Sequence, residues 1–216
     1  MHQVSQLVKL FFVTEWRQKF AVQGVIIQMF TSVFLIFLSI NFIEIQIWNA
    51  LFWLMVLFNT MNIIARGFLS ETEGKMIYYH SICKPESLIL SKIIFNSVVS
   101  LFLLLVFLSV YSIVLGFKIK WIIIFIILSG LFTIGLSAVF TLVSAIAQNA
   151  GNNYILIPVL GLPLMIPLVM TTIKSSKKMF SHIIVNSVYY DLAALFLLIV
   201  MIFYLAVILY KFLWKN

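Results

Sequence analysis

The sequence predicts an all-α integral membrane protein: six transmembrane helices, an N-terminal amphipathic helix at the interface and a short cytoplasmic helix between spans. Three observations carry that prediction. Hydrophobic residues make up 64% of the 216 positions and charged residues only 9%, with a mean hydropathy of +1.18; a soluble domain carries about 25% charged residues. Charge-free runs recur at lengths that match the roughly 20 residues a helix needs to cross the hydrocarbon. Seven of the twenty charged residues gather between Arg66 and Lys92, in RGFLSETEGKMIYYHSICKPESLILSK, with long uncharged runs on both sides. That stretch is an aqueous segment between membrane spans.

The elements belong to a single transmembrane domain over residues 1–216. Residues 3–20 place Val4, Leu7, Val8, Phe11, Phe12, Trp16 and Phe20 at three- and four-residue steps, with Lys9, Glu15, Arg17, Gln18 and Lys19 filling much of the rest. This is the pattern of an amphipathic helix in the interface, its basic groups toward the phosphates. Spans follow at about 21–43 and 46–65, parted only by Glu44 and a few polar residues, and a third at 88–116. From Trp121 to Ile173 no charge occurs in 53 residues, too long for one helix at about 1.5 Å per residue. The run must turn at Gln148-Asn149-Ala150-Gly151-Asn152-Asn153, which gives spans at 121–147 and 154–173. The sixth, 191–211, ends at the interfacial anchors Lys211, Trp214 and Lys215. Before it, Lys174–Asp191 is long enough for a short surface helix with Met179, Phe180, Ile183 and Ile184 on its apolar side.

Charge sets the orientation and excludes some functions. The net charge of +8 would point to nucleic acid in a soluble protein, but here the basic residues sit at span edges, where they set topology and meet headgroups. With the N-terminus inside, nine Lys and Arg lie on the cytoplasmic side and five outside, so both termini are expected in the cytoplasm. One cysteine, Cys83, excludes an internal disulfide, and no C-x-x-C-H haem attachment site occurs. Nothing in the first twenty residues resembles a cleavable signal.

Within the aqueous segment, Ser70-Glu71-Thr72-Glu73 has capping-box spacing, so a helix can start there. The apolar patch Met76-Ile77-Tyr78-Tyr79 follows, and Pro85 suits the first turn of the next helix. We read Glu73 to Ile82 as a short cytoplasmic coupling helix in a loop over 66–87, where a partner docks and drives the chain. Glu73, Gly74, Lys75, Met76, Ile77, Tyr78 and Tyr79 are its candidate coupling residues, with Pro85 and Lys92 behind it. The competing reading is a patch that only rests on the bilayer.

Polar residues inside the spans point mostly to packing. Gly130, Thr133, Ser137, Thr141, Ser144 and Gln148 recur at steps of three or four, a small-polar face that lets helices approach and hydrogen-bond. A substrate path is the alternative. Gln28, Asn59, Asn62 and Asn96 read as interhelical glue. Trp48 and Trp53 stand isolated near a membrane boundary, where tryptophan is common. Span five holds Pro158, Gly161, Pro163 and Pro167; each proline removes a backbone donor, so a kink or break is expected there.

Catalytic chemistry is not evident. Gly67 and Gly74-Lys75 miss the P-loop spacing, and Met76 stands where Ser or Thr should meet magnesium. His2, His80 and His182 are scattered outside the spans, so no metal or haem site is expected from them. The chain is expected to be a non-enzyme with no cofactor of its own.

Several of these residues together resemble the CcmB family, the permease component of the bacterial cytochrome c maturation haem exporter, within exporter-type ABC permeases. They are Glu15-x-Arg17, Phe68 through Gly74, Pro85 with Leu90-x-Lys92, and Asn152-Asn153-Tyr154-Ile155-Leu156 running into Pro163-Leu164-Met165-Ile166-Pro167. Ser81-Ile82-Cys83-Lys84 departs from the leucine-rich sequence common there. The resemblance implies a complex in the bacterial inner membrane: two copies of this chain, a cytoplasmic ATP-binding subunit, a haem-handling membrane subunit and a small membrane subunit. ATP hydrolysis in the partner would then serve haem delivery to cytochrome c, with haem as a possible transported ligand. Two alternatives stay open: a non-conducting scaffold that transmits ATPase motion to the haem-handling subunit, and an ABC permease for lipid, drug or polysaccharide.

Overall fold

Helix boundaries fall where the sequence punctuates them. The computed structural model describes residues 2–17, 19–39, 44–69, 79, 83–116, 121–151, 155–180 and 185–214. In these the chain forms α1 (His2–Arg17), α2 (Lys19–Ser39), α3 (Ile45–Leu69), α4 (Pro85–Leu115), α5 (Ile122–Asn149), α6 (Leu156–Phe180) and α7 (Val185–Leu213), with no strand among them. Lys84 holds extended backbone ahead of Pro85, which opens α4 without costing a hydrogen bond. The turn expected near Gln148 is made at Ala150–Gly151, where Gly151 takes φ +78°, a conformation open to glycine.

Among the described residues five helices, α3 to α7, are long and apolar enough to cross a membrane. Run lengths in the sequence predict six. The remaining candidate, α2, contributes a shorter apolar stretch, Gln23–Ser39, among the described residues. Residues 2–17 form a discrete helix, α1, which packs on α4 through Leu7 and Phe11.

At the centre stands α5, packed against α3, α4, α6 and α7. Leu128, Phe132, Leu136, Phe140 and Val143 are buried along it. Its small-polar face is spent inside the bundle. The Asn96 amide donates to Thr141 Oγ1 at 2.8 Å, and the Ser97 and Ser137 hydroxyls bond each other, which ties α4 to α5. Thr133 and Ser144 return their hydroxyls to carbonyls of their own helix. Close approach marks Gly135: a Cβ there would lie 3.1 Å from both Ile199 Cγ1 and Leu168 Cδ1, so a larger residue would press these side chains of α6 and α7 outward by a few tenths of an ångström.

An aromatic cluster fills the space between α3, α4 and α5. Trp48 and Phe52 stack with planes 1° apart, and Tyr111, Phe107 and Phe125 close around them. Tyr111 also donates to the Trp48 carbonyl at 2.8 Å. Trp48 and Trp53 are therefore not isolated boundary tryptophans; they are 0% and 3% exposed, because rings from three helices enclose them.

The expected surface helix over Lys174–Asp191 does not form as a separate element. Helix α6 runs on to Phe180 and α7 already begins at Val185. The reason is that the buried face of α6 continues: Ser175, Ser176 and Met179 all point inward. Lys178 then pairs with Asp191 at 2.6 Å, closing the α6–α7 corner. At the opposite membrane edge an exposed pair, Lys211–Glu86 at 3.5 Å, joins the end of α7 to the start of α4.

Candidate functional site

The junction of α1, Tyr79 and the start of α4 is the best-formed candidate. Phe11 is its centre. Its ring meets Tyr79 edge to face at 6.0 Å and Phe95 at 6.1 Å, while Lys92 Nζ lies 5.4 Å from its centroid. Phe12 adds a second edge contact to Phe95 at 4.9 Å. Aromatic pairs of this kind contribute about 0.5–1.5 kcal/mol beyond area burial, and a desolvated cation–π contact about 2 kcal/mol. Lys92 is 5% exposed, so its charge is well shielded there.

Tyr79 connects the junction to the aqueous segment. It is helical and 6% exposed, and the Cys83 N–H donates to its carbonyl at 3.0 Å. Burial pushes the nearby Cys83 thiol pKa up. Of the candidate coupling residues, Tyr79 and Lys92 are thus brought together at Phe11, while Pro85 opens α4 seven residues before Lys92. Glu73, Gly74, Lys75, Met76, Ile77 and Tyr78 lie outside the described residues. Tyr79 packs inward against its own chain.

The second candidate region is the proline-rich part of α6. The helix is unbroken from Leu156 to Phe180 with Pro163 and Pro167 inside it. Pro158 sits in the first turn, where a missing N–H breaks no intrahelical bond. Pro163 and Pro167 share the exposed face with Val159, Leu162, Ile166 and Met170. Gly161 faces the other way and is buried, its missing Cβ position 3.3 Å from Phe140 Cε1.

Sequence reasoning missed a buried polar triad at the other membrane edge. The Trp53 indole N–H is shared between Asn49 Oδ1 at 2.8 Å and Ser176 Oγ at 3.0 Å, and Ser176 also donates to Asn49. Asn49 and Trp53 lie one turn apart, the signal that was available in sequence. Ser176 is 127 positions from Asn49, and no local pattern announces it. Among the described residues no group of three or more His, Cys, Asp or Glu is placed to hold a metal. His80 and His182 fall outside them.

The comparisons with known proteins complete the picture. The model of the CcmB protein family matches residues 19–212, nearly the whole chain. No curated protein and no solved structure matches it. The matched region covers α2, the aqueous segment and nearly all of α3 to α7, whereas α1 with Phe11 precedes it. The chain therefore belongs to the CcmB family and is a transmembrane, permease-type subunit of a haem-exporter ABC system of cytochrome c biogenesis.

Proposed function

We propose that this subunit couples ATP hydrolysis in a separate cytoplasmic chain to haem delivery for cytochrome c maturation. The observation that carries the reading is the Phe11 junction. It ties the aqueous segment, through Tyr79, to both α1 and α4. Force applied to residues 73–78 by a docked ATP-binding subunit would reach two helices rather than one loop. On this reading Met76, Ile77 and Tyr78 face the partner, as interfaces are dominated by a few buried anchors worth about 2 kcal/mol or more each. Asp at Ile77 and at Tyr78 should leave membrane insertion intact while uncoupling the ATPase. Unchanged copurification of the ATP-binding subunit with unchanged cytochrome c maturation would sink the docking idea.

The same reading makes α2 the sixth span, α1 an interfacial helix and both termini cytoplasmic in a bacterial inner membrane. The nine-to-five distribution of basic residues supports that orientation. Ser176 is buried and bonded, so the outer reporter belongs at the exposed Lys177, with its counterpart at Ser70. In a chain lacking Cys83, a cysteine at 177 should be labelled from outside and one at 70 protected. The reverse pattern inverts the topology.

A second copy of the chain, a haem-handling membrane subunit and a small membrane subunit complete the proposed complex. One observation favours the non-conducting alternative. Ser97, Ser137, Asn96 and Thr141 bond one another across α4 and α5, so this polar face is not free to line a path. Haem would then move elsewhere in the complex. Haem crosslinking to α5 in the intact complex would argue for conduction through this chain.

A further inference from the structure

A cleft of about 380 Å³ opens on the membrane-facing side between α3 and α6, lined by Ala50, Trp53, Leu57, Val169 and Thr172 with Phe132 of α5 as its floor. Its polar groups are already engaged. The Trp53 N–H is held by Asn49 and Ser176, and the Thr172 hydroxyl donates to the Leu168 carbonyl at 2.7 Å. An occupant therefore meets only apolar surface. From Met165 to Ile173 the wall runs about 12 Å along α6, most of the roughly 15 Å of one leaflet's hydrocarbon. Spread over that length, the volume gives a cross-section of roughly 30 Å², a narrow slot along the helices that suits one extended hydrocarbon chain.

The end of the cleft names the headgroup. One turn beyond Ala50 on α3 is Gln46, and one turn beyond Ile173 on α6 is Lys177; both are exposed. Lys178 is engaged with Asp191, whereas Lys177 has no partner among the described residues. Glu44, also exposed, precedes α3, and its carbonyl accepts the Trp48 N–H. Exposed Trp121, Tyr189 and Tyr190 at the neighbouring helix ends mark the headgroup level. We propose that the α3–α6 cleft binds one acyl chain of an anionic phospholipid, whose phosphate is met by Lys177 and Gln46.

The test uses the full chain reconstituted in phosphatidylcholine vesicles doped with phosphatidylglycerol or phosphatidylcholine brominated on the acyl chain. The Trp53 signal is the difference between the native chain and Trp53→Phe. Brominated phosphatidylglycerol should quench it at about threefold lower mole fraction than brominated phosphatidylcholine. Lys177→Gln, an exposed change that leaves the fold alone, should abolish that preference; Ala50→Phe should weaken quenching by both lipids. Equal quenching by the two lipids means bulk contact only and overturns the proposal. So does no quenching by either, which means protein covers the cleft, or a preference that survives in Lys177→Gln.

Discussion

Phe11 and Tyr79 meet edge to face, their ring centroids 6.0 Å apart and their planes at 70°. Sixty-eight positions separate them in the chain, yet this contact joins the first helix to the segment between two spans. The same ring carries Phe95 and Lys92, so Phe11, with Leu7 and Phe12 beside it, builds α1 into the bundle.

Replacing Phe11 by Ala should therefore loosen Tyr79 before it unfolds the protein. Truncating a buried Phe costs about 3–5 kcal/mol. Amide exchange at Cys83, whose N–H bonds the Tyr79 carbonyl, should accelerate by roughly two orders of magnitude, at about 1.4 kcal/mol per tenfold. Exchange that stays at the native rate shows that Tyr79 is held by other contacts.

The Lys178–Asp191 pair closes the α6–α7 corner with side chains 22% and 14% exposed. It lies between a surface pair, worth about 0–1 kcal/mol, and a buried one, whose disruption costs about 3–5 kcal/mol. A double-mutant cycle with Lys178→Ala and Asp191→Asn, read by thermal unfolding in detergent, should give about 1–2 kcal/mol of coupling. Strict additivity would assign the corner's stability to apolar packing alone.

Glycines in α5 should respond in opposite directions. Gly135→Val places new methyls against Ile199 and Leu168 and should destabilise by about 1–3 kcal/mol. Gly130→Ala meets only Leu101 Cδ2 at an ordinary 3.5 Å, and it should gain up to about 1 kcal/mol of helix propensity. Equal melting temperatures for the two variants would refute the close approach of α6 and α7 at Gly135.

Cys83 gives a pH prediction. Its thiol pKa is raised by burial, so less thiolate is present at neutral pH than on an exposed cysteine. Alkylation should be slow near pH 7 and climb with a midpoint above that of an unfolded control. The sign for stability is the same: the folded state holds the proton more tightly, so stability is lost as pH rises past the unfolded thiol's pKa. A labelling midpoint at or below the control contradicts the burial.

Composition made this a membrane protein, because 9% charge cannot cover a soluble surface, and charge-free runs of about 20 residues made it helical. Local signals also placed the start of α4 at Pro85 and the turn at Ala150–Gly151, since both depend on one residue's backbone preference. The packing role of the small-polar face was legible from its period, although its partners on α4 were not. The separate surface helix expected over Lys174–Asp191 failed for a physical reason. Lysines look like the end of a span, but Lys178 is neutralised by Asp191 and the serines beside it are buried, so the helix has no cause to stop.

What the sequence by itself determined, then, is everything set by neighbours along the chain: hydrophobic run length, turn chemistry and charge bias. Only the tertiary structure decided that Tyr79 turns inward to Phe11, that Trp53 reaches Ser176, and that α3 and α6 leave a cleft between them. Each of those depends on side chains brought together from distant positions, and in a bundle of apolar helices many residues are equally suited to the interior. Which of them face one another is fixed by helix lengths, crossing geometry and the few polar groups that must find a partner, none of which is written in local periodicity.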